Sequence, residues 1–550
     1  MTEAPPPATE ADTRRVKTMI RAAAKAARRG APQIGPGDQD WLEQHPQSLW
    51  PLLHETVTIL TAARPDRVLA ATGLWLLAHQ LELIRYRLDR GYPWALEMVE
   101  AYQRRLIELA RDDVLDGTYW LALVNILREA KVPVRPEIAQ AMAEAVAEAL
   151  DEGMSSRGPA SGASVAPEPQ AGPDQMRALL DELGRLSDTP FLAIEALTET
   201  GSLLPAEIRA FLAHELGLSA HAVLREAVPL LLLDPEPGTR QAAAQVLEQI
   251  AVPETFSPVM LRRCLLVRNW VPEADRAAID RAVRQARLKG VVCAQWAPPP
   301  VLDIQCSMLD GSGTQAALFS TRSGRKGLLA GLLLKQLAGV SDAWCHRDVS
   351  RKEIAGKVEA TRQDAAWLPV GRAFLDTIVQ HHVHKGAARG VPPGAILVEI
   401  AEAIGAADWK DRALDVETEI SGLYLEAGPS PGTAGQDTWL VDSAIVQSWF
   451  EDDPAVRALA AGKPRPKQAA VAKRVLEEIL PARRAVWAER VLLLALWLRA
   501  GPEKFMPGGS PWRDCARLAH ALQAGDGLAD LPAMVAIAER SALAARSGRR

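Results

Sequence analysis

Residues 301–348, VLDIQCSMLDGSGTQAALFSTRSGRKGLLAGLLLKQLAGVSDAWCHRD, are the clearest strand-like interruption in a chain whose remaining segments read as helices. Leu302–Leu309 and Gln315–Ser320 are short runs that can pair across Asp310-Gly311-Ser312-Gly313. Gly and Asp there supply the positive φ angles that tight hairpin connections demand. A second turn, Ser323-Gly324-Arg325-Lys326-Gly327, opens an apolar run from Leu328 to Leu337 that reads as a helix. A lone hairpin is marginal in water, so this one must bury its apolar face on neighbouring helices. The fold class is therefore mainly α and multi-domain, with a small β-hairpin and α insertion near 301–345.

A chain of 550 residues exceeds what one hydrophobic core serves, which implies several subdomains or a solenoid. Its net charge of -5 is small for this length and gives no bulk attraction to nucleic acid or membrane. The five cysteines (264, 293, 306, 345 and 515) show no CxxC pair and no disulfide framework. The first residues, MTEAPPPATEADTRR, lack the apolar core of a signal peptide. Apolar windows such as Ala227–Leu233 and Val491–Leu498 fall well short of the ~20 residues of a membrane span. The expectation is a cytoplasmic protein with no membrane segment.

Residues 1–11 are rich in Pro and Ala and read as disordered, and an N-terminal helical domain occupies 12–152. Residues 153–173, GMSSRGPASGASVAPEPQAGP, have the composition of a flexible linker. Paired helices occupy 174–289, a small α+β module 290–348, and a C-terminal helical domain 349–550. Within the last, Arg372–Lys385, Pro393–Ile404, Thr438–Phe450, Lys467–Ile479, Arg483–Ala500, Trp512–Ala524 and Leu531–Ala545 carry helical patterns.

Among the paired helices, LREAVPLLLLDPEPGTRQAAAQVLEQI stands out. An apolar helix ends in Leu230–Leu233, a turn comes next at Asp234-Pro235-Glu236-Pro237, and Arg240 precedes a second helix with Ala242, Ala243, Ala244 and Leu247. This unit, about 222–250, resembles a HEAT repeat of the armadillo-like helical families. The resemblance implies a stacked helical solenoid in which Asp234 and Arg240 belong to a turn ladder. Independently of the name, an amphipathic helix pair cannot bury its apolar face alone, so its neighbours must stack.

Five features could carry chemistry or contacts. Gly311-Ser312-Gly313-Thr314-Gln315-Ala316 fits the letters of a dinucleotide-binding loop, but the adjoining residues to Arg322 are strand-like, so it reads as a hairpin turn. Arg322, Ser323, Arg325 and Lys326 set cations and backbone amides beside a turn, a candidate contact for an anion or a partner. His381 and His384 share a helix face and are candidate metal ligands, but no HExxH or Cys partner accompanies them, and a structural role comes first. Cys345 beside His346 has no nucleophile motif around it. The helix 13–29 presents Arg14, Arg15, Lys17, Arg21 and Lys25, which could meet nucleic acid but also fit a solvated helix edge. In the N-terminal domain His54 and His79 are too far apart in sequence to argue for a site, and backbone-bonded histidines are expected.

The functional expectation is a non-catalytic helical scaffold that binds a protein partner through a helical-repeat surface, with no cofactor. Two alternatives stand beside it. One is an enzyme or nucleotide- or anion-dependent regulator with a site around 310–326; the other is nucleic-acid association through the basic N-terminal helix.

Overall fold

The computed structural model describes residues 7–28, 32–62, 66–89, 92–112, 114–115, 117–130, 132, 135, 137–138, 171–201, 206–322, 325–361, 366–428, 440–441, 443, 447–451, 453–461, 466–502 and 511–547. The chain divides into two units, residues 1–182 with 195–209, and 183–194 with 210–550.

The first unit begins with α1 (Glu10–Ala27), held at its start by a capping box. The Thr9 hydroxyl accepts from the Asp12 amide at 3.2 Å, and Asp12 accepts from the Thr9 amide at 2.8 Å. Val16, Met19, Ile20, Ala23 and Ala24 recur at helical spacing and are all buried. Next come α2 (Pro36–Gln44), α3 (Leu49–Leu60), α4 (Arg67–Asp89), α5 (Pro93–Arg111) and α6 (Gly117–Glu129). Helix α4 carries apolar residues on most of its surface and is the one the others pack on: α1, α3, α5 and α6 all rest against it. Leu76, Leu77, Leu81 and Ile84 of α4 are wholly buried in a core shared with Leu49, Leu52, Tyr102, Leu106 and Trp120. Each such side chain contributes about 1.5–3 kcal/mol by leaving water.

Three helices come next, α7 (Ala171–Leu186), α8 (Pro190–Gly201) and α9 (Ala206–Leu218). The expected linker lies outside the described residues up to 170, while Ala171 already begins α7. The succeeding helices are α10 (Ala222–Arg225), α11 (Val228–Leu231), α12 (Pro237–Gln249), α13 (Pro258–Val267) and α14 (Glu273–Leu288). Helix α11 packs on α12 and α13, and α14 packs on α12 and α13.

An extended stretch then leads into the sheet, whose strands are β1 (Leu302–Ser307), β2 (Thr314–Thr321), β3 (Lys326–Lys335), β4 (Gly339–Ser350) and β5 (Trp367–Pro369). All neighbours are antiparallel, in the order β4-β3-β2-β1-β5. The expected hairpin forms, with Leu302 opposite Thr321 and Cys306 opposite Ala317.

The run Leu328–Leu337 is not a helix. It supplies strand β3, the second strand from the β4 edge of the sheet. Both faces of β3 are covered, so its sequence is continuously apolar and loses the alternation that marks a half-buried strand. Gly331 fits there because Trp344, directly opposite on β4, fills the space; a Cβ on Gly331 would lie 2.5 Å from the indole. The sheet also extends beyond 348, since helix α15 (Arg351–Thr361) returns the chain to β5. Ile354 of α15 joins Leu318 and Leu329 in a small core on one face.

The other face meets α16 (Arg372–Ala388), which packs on β1, β3 and β4. Helices α17 (Ile396–Ile404), α18 (Val416–Ala427) and α19 (Pro454–Ala460) precede α20 (Gln468–Arg474). A π turn at Val475–Ile479 joins α20 to α21 (Leu480–Ala500). Pro481 explains the π turn: it has no N–H for the ladder, and its ring displaces the carbonyl one turn back. The chain ends with α22 (Pro511–Ala524) and α23 (Pro532–Ser547). The helix expected at Thr438–Phe450 does not reach its end, because residues 447–450 are non-helical. There the chain turns so that Trp449 can bury its indole and donate to the Leu309 carbonyl at 3.0 Å. The molecule is thus mainly helical with one five-stranded antiparallel sheet among the described residues.

Candidate functional site

On the first unit, α3 and α5 both rest on α4 and leave between them an open groove of about 460 Å³. Trp50, Leu53 and Val57 line it from α3, one turn apart along the helix, and Ala101 and Leu109 from α5. The polar lining is His54, Arg104, Arg105 and Glu108. Arg105 meets Glu108 at 2.7 Å and Arg104 meets Glu100 at 3.6 Å, both within α5 and both exposed. Such a concavity with an apolar floor and a cationic rim can seat an amphipathic ligand.

Of the histidines, His54 faces this groove. His79 instead bonds Gln39 at 2.8 Å, and His45 bonds the Trp41 carbonyl at 2.9 Å. The groove is illegible in the sequence because its walls lie some fifty residues apart.

In the second unit the most concentrated chemistry lies where α16, α21 and the sheet meet. His381 Nδ1 accepts from the Leu414 amide at 3.1 Å, which leaves Nε2 protonated to donate to Glu489 at 2.8 Å. Lys385 donates to the same carboxylate at 3.0 Å, and Gln336 donates to it at 3.2 Å. Burial alone would raise the Glu489 carboxyl, but the His381 and Lys385 bonds outweigh it and hold it at about 2. Next along the helix, Arg490 donates to Gln336 at 3.0 Å and to the Gly311 carbonyl at 2.7 Å, with its guanidinium over Trp487. His382 is wholly buried, donates from Nδ1 to the Ile378 carbonyl, and has no partner at Nε2 among the described residues. Burial, with His381 beside it, pulls its imidazole down to about 4, so it is neutral. These groups engage one another rather than a cavity, and their chemistry is that of a lock between helices and sheet.

The hairpin turn is part of this lock. Asp310 accepts from the amides of Ser312 and Thr314 at 2.9 and 2.8 Å, a side-chain-closed turn. Gly311 is there because the chain comes so close: a Cβ would sit 1.8 Å from the Ser448 carbonyl oxygen. With Ser448, Trp449 and Arg490 against it, the glycine turn has no room to cradle a phosphate.

Arg322, Arg325 and Lys326 are exposed at the β2–β3 connection, and Ser323 lies outside the described residues. Arg322 is paired with Asp303 at 2.5 Å. His384 does not turn toward His381's partner but bonds Asp411 at 2.5 Å, and Asp411 also holds Arg276. Among the described residues no group of three His, Cys, Asp or Glu side chains is placed to hold a metal ion. Burial pushes the Cys345 thiol up to about 12, with the nearby Glu399 adding to it, so it rests protonated.

Arg240 is buried and donates to the backbone carbonyls of Asp234 and Pro235 at 2.9 and 2.8 Å. Its carboxylate contact is Asp275 of α14, at 2.7 Å, while the Asp234 carboxylate caps the Glu236 amide. On α1, Arg15 pairs with Asp38 and Lys17 with Glu55, and Arg28, which caps its end, pairs with Asp66. Arg14, Arg21 and Lys25 stay exposed on the outer face.

Two family models match parts of the chain: the Y4lR second domain over residues 205–290 and the Y4lR C-terminal helical domain over 433–546. The first spans α9 to α14 and stops where extended chain begins. The chain is also similar to the uncharacterized protein y4lR of Sinorhizobium fredii, 23% identical over 481 residues, or 85% of this chain and 87% of that protein. No solved structure matches. Among the described residues no helix is long and apolar enough to cross a membrane.

Proposed function

We propose that this chain is a cytoplasmic protein-interaction scaffold, and that the groove between α3 and α5 is where it engages a protein partner. The groove carries this reading, because it brings an apolar floor and cationic rim to the surface together. The five cysteines are unpaired, in keeping with a reducing compartment. The stacking of α11 and α12 on α13 and α14, with Arg240 reaching Asp275 across successive pairs, supports a HEAT-like arrangement for that region. In this reading the helical pairs and the sheet form the rigid body of the scaffold, and the network around Glu489 keeps it rigid.

The test is site-specific photo-cross-linking with benzoylphenylalanine in place of His54, Arg104 or, as a control, the exposed Leu425. The expected result is one partner protein captured from both groove positions, absent from position 425, and lost when Val57→Asp is added. Capture that is equal at all three positions, or indifferent to Val57→Asp, would overturn the reading.

A further inference from the structure

Building on the groove as the binding surface, we infer that its occupant is an acidic amphipathic helix presented by a partner protein. Three observations carry this. First, both walls of the groove are α-helices, so neither offers a free backbone edge with which an extended peptide could pair. A ligand whose backbone hydrogen bonds are closed internally fits such a slot; an added strand does not. Second, the length matches. Ala101 to Leu109 on α5 and Trp50 to Val57 on α3 each run for roughly two helical turns, about 10–12 Å. A ligand helix would set two or three aliphatic side chains against Trp50, Leu53 and Val57.

Third, the charge on the rim has one prevailing sign. Arg104 and Arg105 stand against a single lining carboxylate among the described residues, Glu108. The partners that Arg104 and Arg105 now have, Glu100 and Glu108, are exposed neighbours on the same helix. Pairs of that kind contribute little, so a carboxylate from a ligand can replace them with little loss. A nucleic acid would need a longer track of phosphate contacts and gains nothing from an aliphatic floor.

The test is fluorescence anisotropy with the full-length chain and three labelled helical peptides. One carries a Leu stripe flanked by Glu, one the same stripe flanked by Lys, and one the acidic composition shuffled so that no stripe forms. The acidic amphipathic peptide is expected to bind, with the other two at least ~10-fold weaker. Arg104→Glu with Arg105→Glu, both exposed, should reverse the preference between Glu and Lys flanks. His54→Glu should weaken the acidic peptide alone, and Val57→Asp should weaken both amphipathic peptides. If Val57→Asp weakens both but no variant shows a charge preference, the groove stands and the acidic helix falls. If binding ignores Val57→Asp while melting is unchanged, the groove itself falls. Absence of binding by all three peptides, tighter binding of a labelled oligonucleotide that depends on Arg104 and Arg105, or a dimer of the full chain dissociated by Val57→Asp would each overturn the acidic helix as occupant.

Discussion

His381 Nε2 donates to the Glu489 carboxylate at 2.8 Å although the two residues stand 108 positions apart, and both are buried. The bond ties α16 to α21, and Lys385 and Gln336 close the remaining acceptor sites of the same carboxylate. Removing the carboxylate therefore leaves the buried His381 Nε2 without its acceptor, whereas Gln336 keeps the Val486 carbonyl at 2.8 Å and Lys385 keeps partial access to water. Glu489→Ala should cost about 3–5 kcal/mol, the scale of a broken buried ion pair. Glu489→Gln keeps the shape and one acceptor, and should cost less. Chemical denaturation of the two variants checks this; equal, small losses would mean that the pair contributes little.

The pH dependence of stability arises in the same cluster. Buried His382 has its pKa lowered to about 4, against 6.5 for an unfolded histidine. Between those values the unfolded chain binds the proton and the folded chain does not, so acidification favours unfolding. The stability His382 confers is full above pH 6.5 and is lost as pH falls to about 4, roughly 3 kcal/mol in all. Glu489, held at about 2, continues the loss below its unfolded value near 4.5. In urea melts from pH 7 to pH 4, His382→Phe should flatten the upper part of this slope. A variant as acid-sensitive as the parent would remove His382 as the cause.

The capping box of Thr9 and Asp12 is local, yet it lies where residues 1–11 read as disordered, and it starts α1 at Glu10. The turn at Asp310–Gly313 is as local, and its chemistry is readable from adjacent residues. So is the hairpin of β1 and β2. Strand β3 is not, because a strand covered on both faces has the continuous apolar composition of a buried helix, and its neighbour β4 lies beyond a second turn. The groove and the Glu489 cluster are hidden for a different reason. Each is assembled from helices far apart in sequence, where neither His54 nor Glu489 has a neighbour that betrays its role. Arg240 and its turn are legible together, but its carboxylate contact, Asp275, lies 35 residues on.

That geometry separates two substitutions that the sequence alone would treat as equivalent. Arg240 is buried and satisfies two backbone carbonyls and Asp275. Asp234 is half-buried at the turn, and its carboxylate accepts from the Glu236 amide. Arg240→Ala should destabilise by roughly 2–3 kcal/mol, and Asp234→Ala by about 1 kcal/mol. Thermal unfolding of both variants distinguishes them, and the reverse order would mean that Asp234 holds the turn.

The exposed cations at the β2–β3 connection give a contrasting case. Arg325 and Lys326 are open to solvent at the sheet's end, and Arg322 beside them forms an exposed pair with Asp303. Exposed pairs contribute at most ~1 kcal/mol, and isolated surface charges less. Arg325→Glu with Lys326→Glu should therefore leave the stability within about 0.5 kcal/mol of the parent. The effect of the double variant on binding then separates the roles of the two units. If partner capture from the α3–α5 groove persists, the cations at the sheet's end are solvated charge. If capture is lost while stability holds, they contribute to the interaction.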